Sequence, residues 1–104
     1  MDEDVCLCPL KGVINIVSKK WALQIIAMIG NHHKLRFNNL MNKLGKISPK
    51  TLADRLKELE KAELIRREVF PEIPPRVEYS LTKNGVELMN AIIPLMKWAS
   101  STNQ

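Results

Sequence analysis

Ile47-Ser48-Pro49-Lys50-Thr51-Leu52-Ala53-Asp54-Arg55-Leu56-Lys57-Glu58-Leu59-Glu60 reads as one helix with a marked start and two unlike faces. Ser48 suits the N-cap, where its hydroxyl can accept from a free backbone N–H, and Pro49 suits the first helical position because it has no N–H to leave unpaired. Leu52, Leu56 and Leu59 recur at helical spacing and form one apolar stripe. Lys50, Thr51, Asp54, Arg55 and Glu58 fall away from it. A solvated face is the plain reading of such charges. The upstream neighbour argues for more. Phe37-Asn38-Asn39-Leu40-Met41-Asn42-Lys43-Leu44 is a shorter amphipathic segment, joined to the long one by Gly45-Lys46-Ile47. Helix, glycine-containing turn and a second helix with polar groups at its N-terminal end is the helix-turn-helix arrangement, whose second helix enters the major groove of DNA.

Downstream, Ile65-Arg66-Arg67-Glu68-Val69-Phe70 and Arg76-Val77-Glu78-Tyr79-Ser80-Leu81 read as strands, with Val77, Tyr79 and Leu81 expected on a buried face and Arg76, Glu78 and Ser80 on a wet one. Pro71-Glu72-Ile73-Pro74-Pro75 joins them as a stiff tip poor in free N–H groups. A basic hairpin directly after a helix-turn-helix is a wing. Upstream, Pro9 and Leu10 open a helix through Val13, Ile14, Ile16 and Val17, Ser18-Lys19-Lys20 interrupts it, and Trp21 to Ile29 is apolar nearly all round, as a buried helix should be. Gly30-Asn31 is expected to stop that helix. Leu35-Arg36-Phe37 is expected to be extended. Thr82 should cap a last helix, inside which Pro94 is expected to produce a kink near Asn90. This helix carries more apolar residues than a solvent-facing one should.

The expected fold is therefore mainly α with a small sheet (α+β), a winged helix-turn-helix in a single domain over 1–104. Its helix-turn-helix lies at about 37–62 and its wing at about 65–82, with terminal helices at about 9–18 and 83–100. Val13, Ile14, Val17, Ile92, Met96 and Trp98 are candidates for a homodimer seam; the duller alternative is that the terminal helices only complete a monomer core.

The totals agree with a polyanion partner. The 104 residues carry a net charge of +5 and allow one domain. From Lys34 to Arg67, ten Lys and Arg stand against four Asp and Glu, a balance of +6, whereas Asp2-Glu3-Asp4 is acidic. No signal-peptide pattern and no apolar run long enough for a bilayer is visible, so a cytoplasmic protein without a membrane partner is expected.

Candidate contacts to double-stranded DNA follow from side-chain chemistry. Lys50, Thr51 and Arg55 could touch bases or phosphate: arginine can hold a guanine edge with two bonds, and threonine can meet a base or a thymine methyl. Ser48 is explained by capping alone, although a hydroxyl at a helix N-terminus can lie close to phosphate. Arg36, Asn38 and Asn39, at the start of the shorter helix, suit backbone contacts. Arg76, beside the wing tip, could reach phosphate or the minor groove, or could pair across the strands with Glu68. Cys6 and Cys8 are too close to suggest a disulfide framework. Cys8, before Pro9 at a helix start, is a redox-sensing candidate, since the positive end of a helix dipole lowers a thiol pKa; the neighbouring acidic residues oppose this, and Cys6 could resolve an oxidised Cys8. An ordinary thiol is the alternative. A zinc site from Cys6, Cys8, His32 and His33 matches no standard spacing, so no metal or cofactor is expected. No phosphate loop and no nucleophile flanked by a base points to an enzyme.

Cys8-Pro9, Lys20-Trp21, Leu35-Arg36-Phe37-Asn38-Asn39-Leu40, Ile47-Ser48-Pro49-Lys50-Thr51-Leu52, Arg55-Leu56-Lys57-Glu58-Leu59 and Pro74-Pro75-Arg76-Val77-Glu78-Tyr79-Ser80-Leu81-Thr82 together resemble the HxlR-type winged helix-turn-helix regulators, over nearly the whole chain from Cys8 to Trp98. The resemblance implies a homodimeric transcription factor paired through its terminal helices, with a response to electrophiles or oxidants in some members through a cysteine near the N-terminus. Two positions depart from the family pattern: Lys19 and Glu63 stand where the family often has glycine. The remaining alternative is a winged-helix protein-interaction module without DNA binding, since fold alone does not dictate function. The operator, the regulated genes and any inducer are not written in the sequence; repression is the expected sign, because no extra surface for recruiting polymerase is evident.

Overall fold

The apolar stripes of the sequence become one core in a computed structural model, which describes residues 12–102. The elements are α1 (Val13–Val17), α2 (Ala22–His32), α3 (Phe37–Leu44), α4 (Pro49–Lys61), β1 (Ile65–Phe70), β2 (Arg76–Leu81) and α5 (Lys83–Thr102). Ile25, Ile26 and Ile29 of α2 meet Leu40 of α3 and Leu52, Leu56 and Leu59 of α4, all essentially sealed from solvent. Each such side chain contributes roughly 1.5–3 kcal/mol by burial. Of the first expected helix only Val13–Val17 falls within the described residues; the expected start at Pro9 lies outside them.

One punctuation mark acts differently from expectation. Gly30-Asn31 does not stop α2, which runs on to His32 before the chain turns at His33 (φ 67°). Gly30 instead allows close approach: a Cβ there would sit 3.2 Å from both Leu81 Cδ1 and Met89 Sδ, so β2 and α5 pack directly on the helix backbone. Pro94 lies inside α5, which remains a single helix to Thr102.

The hairpin is antiparallel, with Ile65 opposite Leu81 and Phe70 opposite Arg76. Leu35 adds a one-residue bridge to it, exchanging backbone bonds with Tyr79 at 3.0 and 2.8 Å. Tyr79 is buried as the alternation predicts, but Val77 and Leu81 are only half-buried, and so are Arg76, Glu78 and Ser80 on the side expected to be wet.

The wing and α5 are locked at one corner. Thr82 caps α5, its hydroxyl accepting from Gly85 N at 3.1 Å and donating to Glu63 O at 2.6 Å. Glu63, one of the two positions where the resembled family often has glycine, holds φ 64°. A non-glycine residue in that conformation costs about 1 kcal/mol. Lys19, the other such position, is not among the residues with positive φ; Trp21, two residues on, carries the left-handed turn at φ 80°.

Two of the six seam candidates lie in the core of the chain itself. Val17 and Ile92 are buried within the protomer, because α1 and α5 turn those positions onto the shared interior. Ile14, Met96 and Trp98 remain exposed, Trp98 at 62 %. Val13 lies on α1, its side chain being outside the description.

Candidate nucleic-acid interface

The N-terminal end of α4 is built by local chemistry. Ser48 Oγ accepts from Thr51 N at 3.1 Å and donates to Thr51 Oγ1 at 2.9 Å. This satisfies one of the free N–H groups and leaves the Thr51 hydroxyl proton available to an outside acceptor. In the same turn, Lys50 has 86 % of its side chain exposed and meets Asp54, one turn along, at 3.1 Å. Such an exposed pair holds its partners weakly, so the Lys50 ammonium can exchange Asp54 for a phosphate at little cost.

The preceding helix presents Arg36 and Asn38 to solvent. Asn39 is exposed too, but its Oδ1 accepts from Arg36 N at 3.1 Å, a capping task in addition to the expected backbone contact. Its amide N–H groups stay free to donate outward. Gly45 takes φ 80° at the end of α3, and Ile47 is buried beneath the turn, so the two helices are held at a set angle. Lys43, Lys46 and Lys57 are exposed on α3, the turn and α4, and Arg67 is exposed where β1 borders these helices; they add positive charge to this side.

Two candidate arginines are engaged within the protein. Arg55 keeps only 21 % of its side chain exposed. Its Nε donates to the Lys20 carbonyl at 3.1 Å and its Nη1 to Glu58 Oε1 at 2.8 Å. Glu58 also takes Lys19 Nζ at 2.8 Å. The Lys19 bond, with help from Arg55, holds the Glu58 carboxyl below its ordinary pKa, against a smaller opposing effect of burial. Arg76 is placed over the Phe70 ring at 4.1 Å and pairs with Glu72 at 3.0 Å and Glu78 at 3.4 Å. The anticipated Arg76–Glu68 pair does not form: the register sets Arg76 against Phe70, and Glu68 instead lies 3.9 Å from Lys34. Two carboxylates and an aromatic face thus hold Arg76 against the mouth of the hairpin loop, while Ile73 stands fully exposed at the tip.

Sequence reasoning missed the Lys19–Glu58–Arg55 cluster because its members are separated by the whole of α2 and α3. It also missed Lys57 and Arg67, which line a recess with Phe37, Ala53, Glu60 and Tyr79 between α3, α4 and the sheet. Among the described residues no three His, Cys, Asp or Glu side chains gather to hold a metal, and no helix is long and apolar enough to cross a membrane. Cys6 and Cys8 lie outside the described residues.

The sequence model of a family described as HxlR-like helix-turn-helix matches residues 16–104. A curated relative, an HTH-type transcriptional regulator of Methanothermobacter thermautotrophicus, is 37 % identical over 98 residues, covering 94 % of this chain and 74 % of its own. Among solved structures, a MarR-family transcriptional regulator from Porphyromonas gingivalis superposes with a TM-score of 0.82 at 36 % identity, covering 98 % of this chain and 96 % of that one. The reduced form of the transcriptional regulator YodB from Bacillus subtilis superposes with a TM-score of 0.75 at 33 % identity, covering 93 % and 95 %, and YodB has also been solved after diamide treatment.

Proposed function

This chain belongs to the HxlR-like helix-turn-helix family and is a transcriptional regulator of the winged-helix type, and from that premise we propose that it is a homodimeric, sequence-specific repressor that binds double-stranded DNA in the cytoplasm. The observation that carries the reading is the N-terminal turn of α4, where a capped helix start projects Lys50 and Thr51 from a positively charged surface. In this reading α4 enters the major groove, Thr51 and Lys50 meet base edges or phosphate, and Arg36, Asn38, Asn39 and Ser48 contact the backbone. Arg55 and Arg76 contribute charge from more withdrawn positions.

The dimer is supported by apolar surface that the protomer leaves uncovered. Ile93, Leu95, Met96 and Trp98 on α5 and Ile14 on α1 are all exposed. Large apolar groups left exposed along the terminal helices favour a partner, and paired readers of this kind span two half-sites. Cys8, with Cys6 as its resolving partner, is the proposed redox sensor, a reading supported by the likeness to YodB, a regulator solved both reduced and diamide-treated.

Anisotropy of labelled duplex DNA from upstream of the chain's own gene, at two salt concentrations and with reduced or diamide-treated protein, tests each part. Binding should be tight, should fall linearly in log–log form with salt as counterions are released, and should be lost on oxidation and restored by reductant. Binding that ignores diamide would remove the thiol switch and keep the regulator. No binding even at low salt would refute the DNA reading.

A further inference from the structure

One cluster beside this surface makes none of the base or phosphate contacts proposed above, Arg55 adding only charge. Glu58, in the C-terminal part of α4, is held at both carboxylate oxygens, by Lys19 Nζ at Oε2 and by Arg55 Nη1 at Oε1, each at 2.8 Å. Arg55 also reaches the Lys20 carbonyl through Nε at 3.1 Å. Two tethers therefore run from α4 to the turn between α1 and α2. That turn is itself braced, with Lys19 N donating to Ile16 O at 3.2 Å, Ala22 N donating to Lys19 O at 3.1 Å, and Trp21 in the left-handed conformation.

Ordinary surface ion pairs hold little. This group differs in three respects. Arg55 is largely shielded, one of its bonds goes to a backbone carbonyl, and both oxygens of one carboxylate are engaged at short distance. A carboxylate on the helix that approaches a polyanion is also an electrostatic burden, unless its charge is neutralised and holds something in place.

We infer that Lys19, Arg55 and Glu58 form a strap that sets the angle at which α4 presents Lys50 and Thr51 to DNA, which makes Arg55 and Glu58 positioning residues. The inference rests on the DNA-binding reading above. The turn that receives the strap continues into α1, where Ile14 faces outward, so the pitch of the recognition helix is tied to the segment proposed to meet the second protomer.

The decisive variant is Glu58→Gln, because two accounts predict opposite signs. Simple electrostatics removes a negative charge beside DNA and predicts tighter binding. The strap predicts weaker binding. The probes are a duplex selected by the wild-type chain from a random library and a scrambled duplex of equal length, each measured across a salt series. Glu58→Gln and Lys19→Met should weaken binding to the selected duplex by about 2- to 30-fold. Binding of these variants to the scrambled duplex should stay near wild type and the salt slope should not change, because no phosphate contact is lost. Lys19→Arg should restore the wild-type preference. Arg55→Gln should weaken binding to the selected duplex by a similar factor. Equal or tighter binding by Glu58→Gln overturns the strap, as does a uniform loss on both duplexes with a lowered melting temperature. A salt slope reduced by about one in Arg55→Gln would make Arg55 a phosphate contact and end its assignment as a positioning residue. If the wild-type chain selects no sequence and shows no salt-sensitive binding, the DNA reading itself fails, a result distinct from every outcome of the variants.

Discussion

Gly85→Ala should destabilise this protein, although glycine-to-alanine changes inside helices ordinarily stabilise. Gly85 lies in the first turn of α5, is buried and does not have a positive φ, so alanine there would gain about 1 kcal/mol from helix propensity alone. The space is the obstacle. A Cβ built on Gly85 overlaps the Leu64 carbonyl oxygen and stands 3.2 Å from Leu81 Cβ. That carbonyl accepts from Thr82 N at 3.1 Å, and Thr82 in turn bonds Glu63 O and caps Gly85 N. Neither neighbour is the free end of a flexible side chain, so α5 must move away from the start of β1 and strain the corner that joins wing to terminal helix. Overpacking costs about 1–3 kcal/mol and loss of a cap about 1 kcal/mol, which against the propensity gain leaves a net loss of about 2 kcal/mol. For a domain of this size that corresponds to a fall of roughly 8–16 °C in Tm. Thermal unfolding followed by circular dichroism, at one fixed protein concentration, is the assay. Gly30→Ala is the internal control: its new Cβ meets Leu81 Cδ1 and the Met89 thioether, side-chain ends that can shift, so its cost should stay within about 1 kcal/mol. An unchanged or raised Tm for Gly85→Ala, or a larger loss for Gly30→Ala, would refute the packing argument.

Glu63→Gly should raise stability by about 1 kcal/mol, since φ 64° suits glycine and the Thr82 bond is to the backbone carbonyl, which the change keeps; a urea midpoint that does not rise would count against it. Glu58 has a folded-state pKa below its ordinary value near 4.5, so its contribution to stability is present above that value and is lost as pH falls through the folded pKa. The Tm gap between wild type and Glu58→Gln should therefore narrow as pH drops below about 4.5, and a gap independent of pH would dismiss the ion-pair account. Trp98→Ser should shift the protein toward monomer in sedimentation velocity while the isolated fold keeps its helical signal, because Trp98 is 62 % exposed and takes little part in the protomer core; unchanged association would move the seam elsewhere.

Much of the architecture follows from interactions that are local in the chain. The Ser48 cap, Pro49 at the first helical position and the Leu52, Leu56 and Leu59 stripe act within a few residues of one another, so α4 is legible from its own sequence. The same holds for the hairpin, whose strand patterns and proline-rich connection need only their neighbours, and for Thr82 at the start of α5. Lys50 and Thr51 could be placed at the helix start because helical period alone directs them away from the leucines. Matters were decided differently where a residue had two chemically adequate destinations. Arg55 could face DNA or a carboxylate, and the fold brought Glu58 and the Lys20 carbonyl within reach. Arg76 could pair with Glu68, but strand register set Phe70 opposite it and brought Glu72 and Glu78 alongside. Gly30 could end a helix, yet the approach of Met89 and Leu81 made it a packing site. Val17 and Ile92 could have faced a partner and were taken into the protomer core. Periodicity and capping report which face of an element is apolar; which distant group meets that face, or pairs with a charge beside it, depends on long-range packing that only the assembled tertiary structure determines.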